Sequence, residues 1–316
     1  MQIPEISIVI PLYNEEAVFK QLITRLNSLM EQQTINIEIV LIDDGSKDRT
    51  VTLIHELCLQ DTRYQGVILS RNHGHQLALS AGLSYARGTK AIMVMDGDLQ
   101  DPPELLPDLY SKIKEGYEVV YAVRKKRKES LFKRMLYWTY YRIQQSVSSF
   151  HIPLDSGDFG MMSRKAVDHL VKMPEQSRYL RGMRSWIGFK QIGLSYERDA
   201  RAAGNSSYGF RQLFALAYNG IFNFSEFPVK FITRMGMYSI VLSMVYLAYV
   251  IFRRIIYHDV PAGFTALIVA IVLFSGVQLI SIGLLGEYVL RIYNQVRNRP
   301  LFVVDKVITD REERNG

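Results

Sequence analysis

The chain contains little cysteine: Cys58 is the only one among its 316 residues. A single cysteine excludes an intrachain disulfide and a cysteine-based zinc cluster. No GxGxxG follows the first strand pattern and no GxxxxGK[ST] is found, so the usual dinucleotide-binding and P-loop functions are excluded. No recognised nucleic-acid motif accompanies the net charge of +7. That charge suits an anionic membrane surface or a phosphate-bearing ligand.

Charged residues are missing from two stretches near the C-terminal end. Gly236–Phe252 is uncharged over about 17 residues, and Val260–Gly286 over about 27. Stretches of this length can cross a bilayer, and we predict transmembrane helices at about 234–254 and 261–287. Two buried core helices are the alternative, which the basic and aromatic flanks disfavour.

The flanks of these stretches also predict an orientation. Basic residues lie on the outer side of both: Lys230, Arg234, Arg291, Arg297 and Arg299. Arg253 and Arg254, between the stretches, weaken this bias without reversing it. The chain begins with a strand pattern rather than a basic region followed by a short apolar one, so no signal peptide is expected. We predict a multi-pass protein of the cell membrane with its polar part and both termini in the cytoplasm.

Strand and helix patterns alternate over the first 125 residues. The strand patterns are ISIVIP, IEIVLIDDGS, QGVILSRN, AIMVMDGD and YEVVYAVR. Between them apolar residues follow helical spacing, as at Val18, Leu22 and Leu26. This alternation predicts an α/β domain with a Rossmann-like, mostly parallel sheet. Ligands bind such sheets beyond the carboxyl ends of the strands, where PLYNEE, DDGS, SRNHGH, DGDLQD and VRKKR fall.

Two further segments mix basic, aromatic and apolar residues, at about 131–148 and at 208–230. Amphipathic helices of this kind can lie in the membrane interface, although ordinary surface helices are the alternative. The predicted organisation is a polar domain over 1–207, this second amphipathic helix, two membrane helices within 231–293 and a cytoplasmic tail over 294–316.

The stretch VMDGDLQDPPE, from Val94 to Glu104, contains the densest group of carboxylates. Asp96, Asp98 and Gln100 are spaced at i, i+2 and i+4, so in an extended segment their side chains point the same way. Oxygen donors in this arrangement suit Mg²⁺ or Mn²⁺. A turn rich in Asp and Gly, without chemistry, is the alternative. The remaining Asp101-Pro-Pro-Glu104 predicts a helix start, with Asp101 as N-cap and Glu104 completing a capping box.

A set of motifs resembles one known family in the same order along nearly the whole chain. They are SIVIPLYNEE, LIDDGSKDRT, LSRNHGHQLALSAGL, MDGDLQDPPE, DSGDFGMMSR and GVQLISIGLLGEYVLRIYNQVRNRP. Together they resemble the polyprenyl-phosphate glycosyltransferases of glycosyltransferase family 2, such as dolichol-phosphate mannose synthase and bactoprenol glucosyltransferase. The bacterial branch with two C-terminal membrane helices is the most similar.

The resemblance implies a GT-A fold and an inverting transfer of a sugar from a nucleotide-sugar to a lipid phosphate. It assigns an Mg²⁺ or Mn²⁺ ion to Asp96, Asp98 and Gln100. It places the base and ribose of the donor near Pro11, Tyr13, Glu15, Asp43 and Asp44. It implies phosphate binding by Arg124 and Arg201, with Lys133 and Arg134 as further candidates for this role. Asp158, in SGDF, matches a residue proposed as catalytic base.

Elementary chemistry questions that last role. The second pKa of a phosphate monoester is about 6, so the acceptor is mostly a dianion near pH 7 and hardly needs a base. We therefore expect Asp158 to orient an arginine or the metal site. One departure from the family pattern is Ser207, which stands where relatives commonly have lysine. His73 and His75 lie beside the expected site, and we interpret them as packing or hydrogen-bonding residues.

The resemblance leaves the substrates open. UDP-glucose is the favoured donor, with UDP-GlcNAc and GDP-mannose as alternatives, and undecaprenyl phosphate is the expected acceptor. A processive polysaccharide synthase is disfavoured because no QxxRW motif is present, and a non-catalytic membrane scaffold is disfavoured by the acidic and basic residues. Relatives form homotetramers, and the tail RNRPLFVVDKVITD is expected to pair as a strand with a neighbouring copy.

Overall fold

The computed structural model describes residues 3–124, 156–176, 178–197, 227–257, 263–309 and 312–315. The predicted amphipathic helix at about 131–148 lies outside these residues, as does the one at 208–230 except for its last four residues. The described residues divide into two compact units, one with a sheet and its helices and one with two long helices.

The first unit is built on one mixed β-sheet. Its strands in chain order are β1 (Ile6–Leu12), β2 (Ile37–Asp43), β3 (Tyr64–Leu69), β4 (Ala91–Val94), β5 (Val119–Arg124), β6 (Ser156–Ser163), β7 (Gln191–Tyr196), β8 (Val304–Thr309) and β9 (Glu312–Asn315). Their order across the sheet is β7-β5-β6-β4-β1-β2-β3-β8-β9. Strands β3, β2, β1 and β4 are parallel, and β6 and β8 each join their neighbours β4 and β3 in antiparallel fashion.

In the described part of the first unit, six helices follow or connect these strands. They are α1 (Glu16–Gln32), α2 (Thr50–Gln60), α3 (His75–Tyr85), α4 (Leu106–Lys114), α5 (Arg164–Lys172) and α6 (Leu180–Trp186), and a 3₁₀ turn at Pro103–Leu105 precedes α4. The α1 sequence buries Val18, Leu22 and Leu26, which its helical spacing places on one face. The helices therefore cover the central strands, whose β-branched residues are buried throughout.

Both faces of the central strands are packed. Ile8 and Ile10 of β1 belong to the core cluster that contains the buried face of α1. On the other face, Gly82 of α3 lies directly on the sheet, since a Cβ atom there would come within 2.4 Å of Val9 and 2.5 Å of Ile42. A sheet covered on both faces exposes its ligand-binding residues only at the strand ends.

The second unit consists of α7 (Phe227–Tyr257) and α8 (Phe264–Val296). Ile232–Ile256 and Leu273–Val296 are long and apolar enough to cross a membrane, and none of the residues in these windows is buried. Exposed apolar helices of this length do not behave as core helices of a soluble domain. The second window begins and ends later than the predicted 261–287.

The tail after α8 returns to the first unit. Strand β8 pairs with β3 in antiparallel register, with Val307 beside Val67 and Ile308 beside Gly66. Ile308 is 1% exposed and belongs to the core. The tail therefore forms the expected strand, but its partner is β3 of the same chain instead of a neighbouring copy.

Candidate active site

Several strands end at one edge of the sheet, called the carboxyl edge below. Leu12 of β1 lies beside Asp43 of β2, and β4 ends at Val94 next to β1. Strand β6 runs the opposite way, and because Gly160 pairs with Val94, Asp158 lies beyond it at the same edge. The predicted convergence of the polar segments is thus confirmed for those that the structure describes. Ligands bind at this edge in related sheets.

The loop after β1 contributes three predicted nucleotide-site residues. Pro11 is buried within β1, and the Tyr13 side chain is 43% exposed at the edge. The backbone N–H of Glu15 donates to Oγ1 of Thr50, the first residue of α2, over 3.1 Å. This bond fixes the β1–α1 loop against α2 and leaves the Tyr13 ring free to stack on a planar ligand.

Asp43 and Asp44 end β2 at the same place. The Asp43 carboxylate accepts from the backbone N–H of Ser46 over 2.9 Å through Oδ2, while its buried Oδ1 has no partner among the described residues. Asp44 accepts from the N–H groups of His73 (2.7 Å) and Gly74 (2.9 Å). Burial raises the pKa of both carboxyl groups. Asp44 therefore connects the loop after β2 to the loop after β3. The Oδ1 atom of Asp43 is available to accept a hydrogen bond from a ligand.

The acidic motif after β4 is a turn rather than an extended strand. The strand ends at Val94, and Leu99 has a left-handed φ of +63°, which is strained for a bulky residue. Within the turn, the N–H of Gln100 donates to Oδ1 of Asp98 over 3.1 Å. The prediction that Asp96, Asp98 and Gln100 point one way along an extended segment is therefore wrong, because the side chains of a turn do not alternate as those of a strand do.

These oxygen donors nevertheless fit a divalent cation. Burial raises the pKa of Asp96 to about 6, against the opposing effect of His75, and neighbouring carboxylates add to the rise. A group of carboxylates that repel one another favours a bound cation. No cluster of three His, Cys, Asp or Glu side chains able to hold a metal occurs in the described part of the chain. The predicted set of Asp96, Asp98 and Gln100 has two such residues, with an amide as the third donor.

Asp158 is the most heavily engaged carboxylate of the edge. Its side chain is 8% exposed, and Arg181 of α6 donates to it through Nε (2.9 Å to Oδ1) and Nη2 (3.2 Å to Oδ2). Gln76 of α3 donates to Oδ2 over 3.0 Å. The Nε2 atom of His75 lies 3.6 Å from both Asp158 Oδ2 and Asp96 Oδ1. A continuous polar network thus runs from the acidic motif to α6.

The electrostatics of this network keep Asp158 ionised. Burial by itself would raise the pKa of Asp158, but the charge of Arg181 and the neighbouring His75 hold it well below the ordinary value. The Asp158 carboxylate in turn raises the pKa of Arg181. A carboxylate with a low pKa and donors on both oxygens is a poor proton acceptor.

Three residues of this network do not belong to the predicted site. Gln76 joins it by accepting from the N–H of Leu180 over 2.9 Å, Arg181 lies in a short helix without a motif, and Arg184 packs beneath them. Arg184 is 4% exposed, donates to the Gly157 carbonyl over 3.3 Å, and has its pKa lowered to about 10 by burial. The pair of arginines three residues apart was the available signal.

Among the predicted phosphate ligands, Arg124 ends β5 beside Tyr196 of β7, at the carboxyl edge. Lys133, Arg134 and Arg201 lie outside the described residues.

The predicted capping box at Asp101 and Glu104 is wrong. The 3₁₀ turn Pro103–Leu105 has no side-chain cap. Asp101 is 1% exposed and accepts from the Tyr196 hydroxyl over 2.7 Å, while Glu104 forms two bonds with Arg25 (2.7 and 2.8 Å). Asp101 and Glu104 thus have long-range partners, and Pro102 instead of Asp101 occupies the N-cap position of the turn.

The comparisons agree with this architecture. Residues 7–171 match the sequence model of the family described as "Glycosyl transferase family 2". The chain belongs to glycosyltransferase family 2, and its mixed sheet with flanking helices is the GT-A type fold. The predicted family and fold class are confirmed.

Relatives match over nearly the full length. An uncharacterised glycosyltransferase of Bacillus subtilis, YkcC, is 42% identical over 95% of this chain and 93% of its own. A prophage-derived bactoprenol glucosyl transferase of Shigella flexneri is 36% identical over 96% of this chain and 98% of its own. The solved structure of S. aureus TarS 1–349 with UDP-GlcNAc is 19% identical, covers 70% of this chain and 67% of that one, and gives a TM-score of 0.47.

Proposed function

We propose that this glycosyltransferase transfers a hexose, with UDP-glucose as the favoured donor, to undecaprenyl phosphate at the cytoplasmic face of the membrane. The product would be a polyprenyl-phosphate sugar for modification of cell-envelope glycans. One observation carries the proposal: a family 2 unit and two apolar helices occur in one chain, which bactoprenol glucosyl transferases match from end to end. A transferase whose acceptor is dissolved in the bilayer needs such an attachment.

The donor nucleotide would bind at the ends of β1 and β2. The exposed Tyr13 ring offers a stacking surface for the base, and Pro11 and Glu15 flank it along the same loop. The unpartnered Oδ1 of Asp43 is an acceptor for a ribose hydroxyl or a base N–H. Asp44 supports this site by holding the neighbouring loop in place.

The sugar diphosphate would lie beside the acidic motif. Asp96, Asp98 and Gln100 would hold Mg²⁺ or Mn²⁺, which when bound would neutralise the diphosphate and stabilise the departing nucleotide. Gln100 is kept near Asp98 by its backbone bond.

In the reaction, an oxygen of the acceptor phosphate attacks the anomeric carbon of the sugar. The bond from that carbon to the nucleoside diphosphate breaks, the diphosphate leaves with the bonding electrons, and the configuration inverts. The acceptor is mostly a dianion near pH 7, because its second pKa is about 6. Arg124 supplies positive charge for it at the end of β5, together with Lys133, Arg134 and Arg201.

The two helices would anchor the enzyme beside its acceptor. Basic residues on the outer flanks of both spans favour a cytoplasmic location for the sheet unit and both termini. This orientation would place the sheet unit on the side of the membrane where a cytoplasmic nucleotide-sugar is available.

A donor screen tests this function. The full-length chain, purified in detergent, is incubated with Mg²⁺ or Mn²⁺, a short polyprenyl phosphate and labelled UDP-glucose, UDP-GlcNAc or GDP-mannose. We expect label in the lipid phase with UDP-glucose, and none when the polyprenyl alcohol replaces the phosphate. Another donor as the best substrate would correct the sugar alone. Neither lipid labelling nor metal-dependent donor hydrolysis with any donor would favour the scaffold alternative.

A further inference from the structure

The guanidinium of Arg181 is held by Asp158 at the carboxyl edge, and one of its three nitrogen atoms is not part of this ion pair. Nε and Nη2 donate to the two oxygens of Asp158 at 2.9 and 3.2 Å. The remaining Nη1 has no hydrogen-bond partner among the described residues, and the side chain is 32% exposed where that of Asp158 is 8% exposed. The pair therefore buries its carboxylate side and leaves arginine donors open to solvent.

The carboxylate that fixes Arg181 lies close to the acidic motif of the proposed reaction site. His75 Nε2 lies 3.6 Å from Asp158 and 3.6 Å from Asp96, so a single imidazole separates the carboxylate that holds Arg181 from the acidic motif. The charge of Asp96 is also close enough to contribute to the raised pKa of Arg181. The Arg181 guanidinium is therefore within electrostatic reach of the group proposed to bind the sugar diphosphate.

Neighbouring arginines are used differently. Arg184 is buried, with its guanidinium 5.6 Å from the Tyr121 ring and one bond to the Gly157 carbonyl. Arg178 donates from Nη1 and Nη2 to the carbonyls of Leu170 and Met173. Both stabilise backbone near the ends of α5 and β6. Among these three arginines, Arg181 is the one whose partner is a carboxylate at the carboxyl edge.

The ion pair between Arg181 and Asp158 is not expected to add much to the free energy of unfolding. A buried Arg–Asp pair loses solvation that its attraction regains only in part, so its net contribution to the free energy of unfolding is small. The same pair is well suited to orient a guanidinium, whose planar donors match phosphate oxygens in a fixed geometry. Gln76 adds a third bond to Asp158 and ties it to the start of α6, which further restricts the pair.

We propose that Arg181 binds a phosphate group of a substrate, and that Asp158 contributes to the reaction by holding Arg181 rather than by accepting a proton. This inference rests on the proposed function, since both substrates of that reaction present phosphate. The phosphate belongs either to the donor diphosphate or to the acceptor monoester, and the two sources give different kinetic results.

The first test compares Arg181→Gln and Arg181→Lys with wild type, varying each substrate in turn. We expect Arg181→Gln to lower kcat/KM by about a hundredfold, as for loss of one oriented charged donor, and Arg181→Lys to recover part of it. A raised KM for the nucleotide-sugar identifies the donor diphosphate, and a raised KM for the polyprenyl phosphate identifies the acceptor. Wild-type constants for both substrates in Arg181→Gln would overturn the proposal.

Binding measurements separate this inference from the proposed function. UDP and farnesyl phosphate are titrated calorimetrically into the full-length chain, and we expect Arg181→Gln to weaken one of them at least tenfold while uridine is unaffected. Unchanged affinity for both phosphates would refute phosphate binding by Arg181, even if no donor supported transfer. Arg164→Gln, which breaks the surface pair with Asp168 on α5, is the matched control and should match wild type. If Arg181→Gln does not fold, Arg181→Lys serves in both assays, and wild-type behaviour of Arg181→Lys in all of them would then count against the proposal.

A double-mutant cycle tests the role of Asp158. If Asp158 acts through Arg181, adding Asp158→Asn to Arg181→Gln should lower kcat/KM by less than about threefold, because the interaction is already lost. If Asp158→Asn lowers kcat/KM by the same factor in both backgrounds, Asp158 acts independently and the positioning role is wrong.

Discussion

At the residue scale, neighbouring carboxylates of one short stretch have different partners. Asp96 contacts the His75 network and Asp98 closes a turn, whereas Asp101 is buried against Tyr196. Glu104 forms a surface pair with Arg25. The stretch therefore combines a proposed metal site with a structural connection, and substitutions within it should separate the two.

Asp98→Ala and Glu104→Ala form the first matched pair. Asp98→Ala should abolish metal-dependent transfer and leave the fold intact, because Asp98 is only half-buried and lies in a turn outside the strands and helices. Glu104→Ala should spare activity and lower the free energy of unfolding by about 1 kcal/mol or less, since its ion pair is partly exposed. Transfer assays and urea unfolding measure both effects. Equal loss of activity in the two variants would show that the division is wrong.

Asp158→Asn gives a prediction on pH. The pKa of Asp158 is held well below its ordinary value, so this group is ionised at both pH 6 and pH 8 and does not titrate between them. As an orienting residue, its replacement should lower kcat by about a hundredfold at both pH values. The kcat ratio of variant to wild type at pH 6 and pH 8 is the measurement. Near-normal turnover at pH 8 with a deep deficit at pH 6 would instead indicate a base that deprotonates the acceptor phosphate.

At the element scale, the loops at the carboxyl edge are positioned by contacts with one another. The N–H of Asn14 donates to Ser46 Oγ (2.9 Å), and Asn14 Oδ1 accepts from the N–H of Lys47 (2.8 Å). Gly45 has a φ of +71°, and a Cβ atom there would lie 2.5 Å from the backbone of Arg71. The loop after β2 thus packs on the loop after β3 at backbone distance.

Gly45→Ala and Gly116→Ala separate backbone strain from steric overlap. Both glycines have positive φ, but Gly116 has open space around its Cβ position while Gly45 meets backbone atoms. We expect Gly116→Ala to lower the free energy of unfolding by about 1 kcal/mol and Gly45→Ala by about 3 kcal/mol or more. Gly45→Ala should also weaken UDP binding by moving Asp43 and Asp44. Equal unfolding free energies in the two variants would mean that the loops after β2 and β3 move apart to accommodate the added methyl group.

At the scale of the whole molecule, residues at the two ends of the chain share one sheet. Strand β8 follows the two apolar helices and returns to pair with β3, and the N–H of Ser70 donates to the Val303 carbonyl over 2.9 Å. The sheet unit is therefore completed only after both long helices have been made.

Ile308→Ala tests this closure. Ile308 is 1% exposed in the core, so truncation should lower the free energy of unfolding by about 2–4 kcal/mol. Val303→Ala is the control: the Val303 side chain is 51% exposed, and its loss should cost less than about 0.5 kcal/mol. Urea unfolding of the detergent-solubilised chain measures both. A neutral Ile308→Ala would mean that the tail does not pair with β3 in solution.

Local patterns were sufficient for much of the fold. β-branched runs and helical spacing over the first 125 residues predict the strands and helices, because burial on one face imposes its period on the sequence. Handedness and strand parallelism then place Asp43 and Asp96 at one edge. Asp158 was predicted from the family resemblance alone, since its strand β6 is antiparallel. The capping box at Asp101 failed because Tyr196, 95 residues away along the chain, supplies the competing partner.

The α/β class, the family, the two apolar helices and most carboxylates of the site were predictable from the amino-acid sequence, because each depends on local composition or on ordered motifs. The assembled structure was needed to show that Arg181 holds Asp158 and that the tail joins its own sheet. These features depend on contacts between segments distant in sequence. They form because of the groups that the folded sheet unit buries and the charges that it brings together. A local sequence pattern does not contain this information.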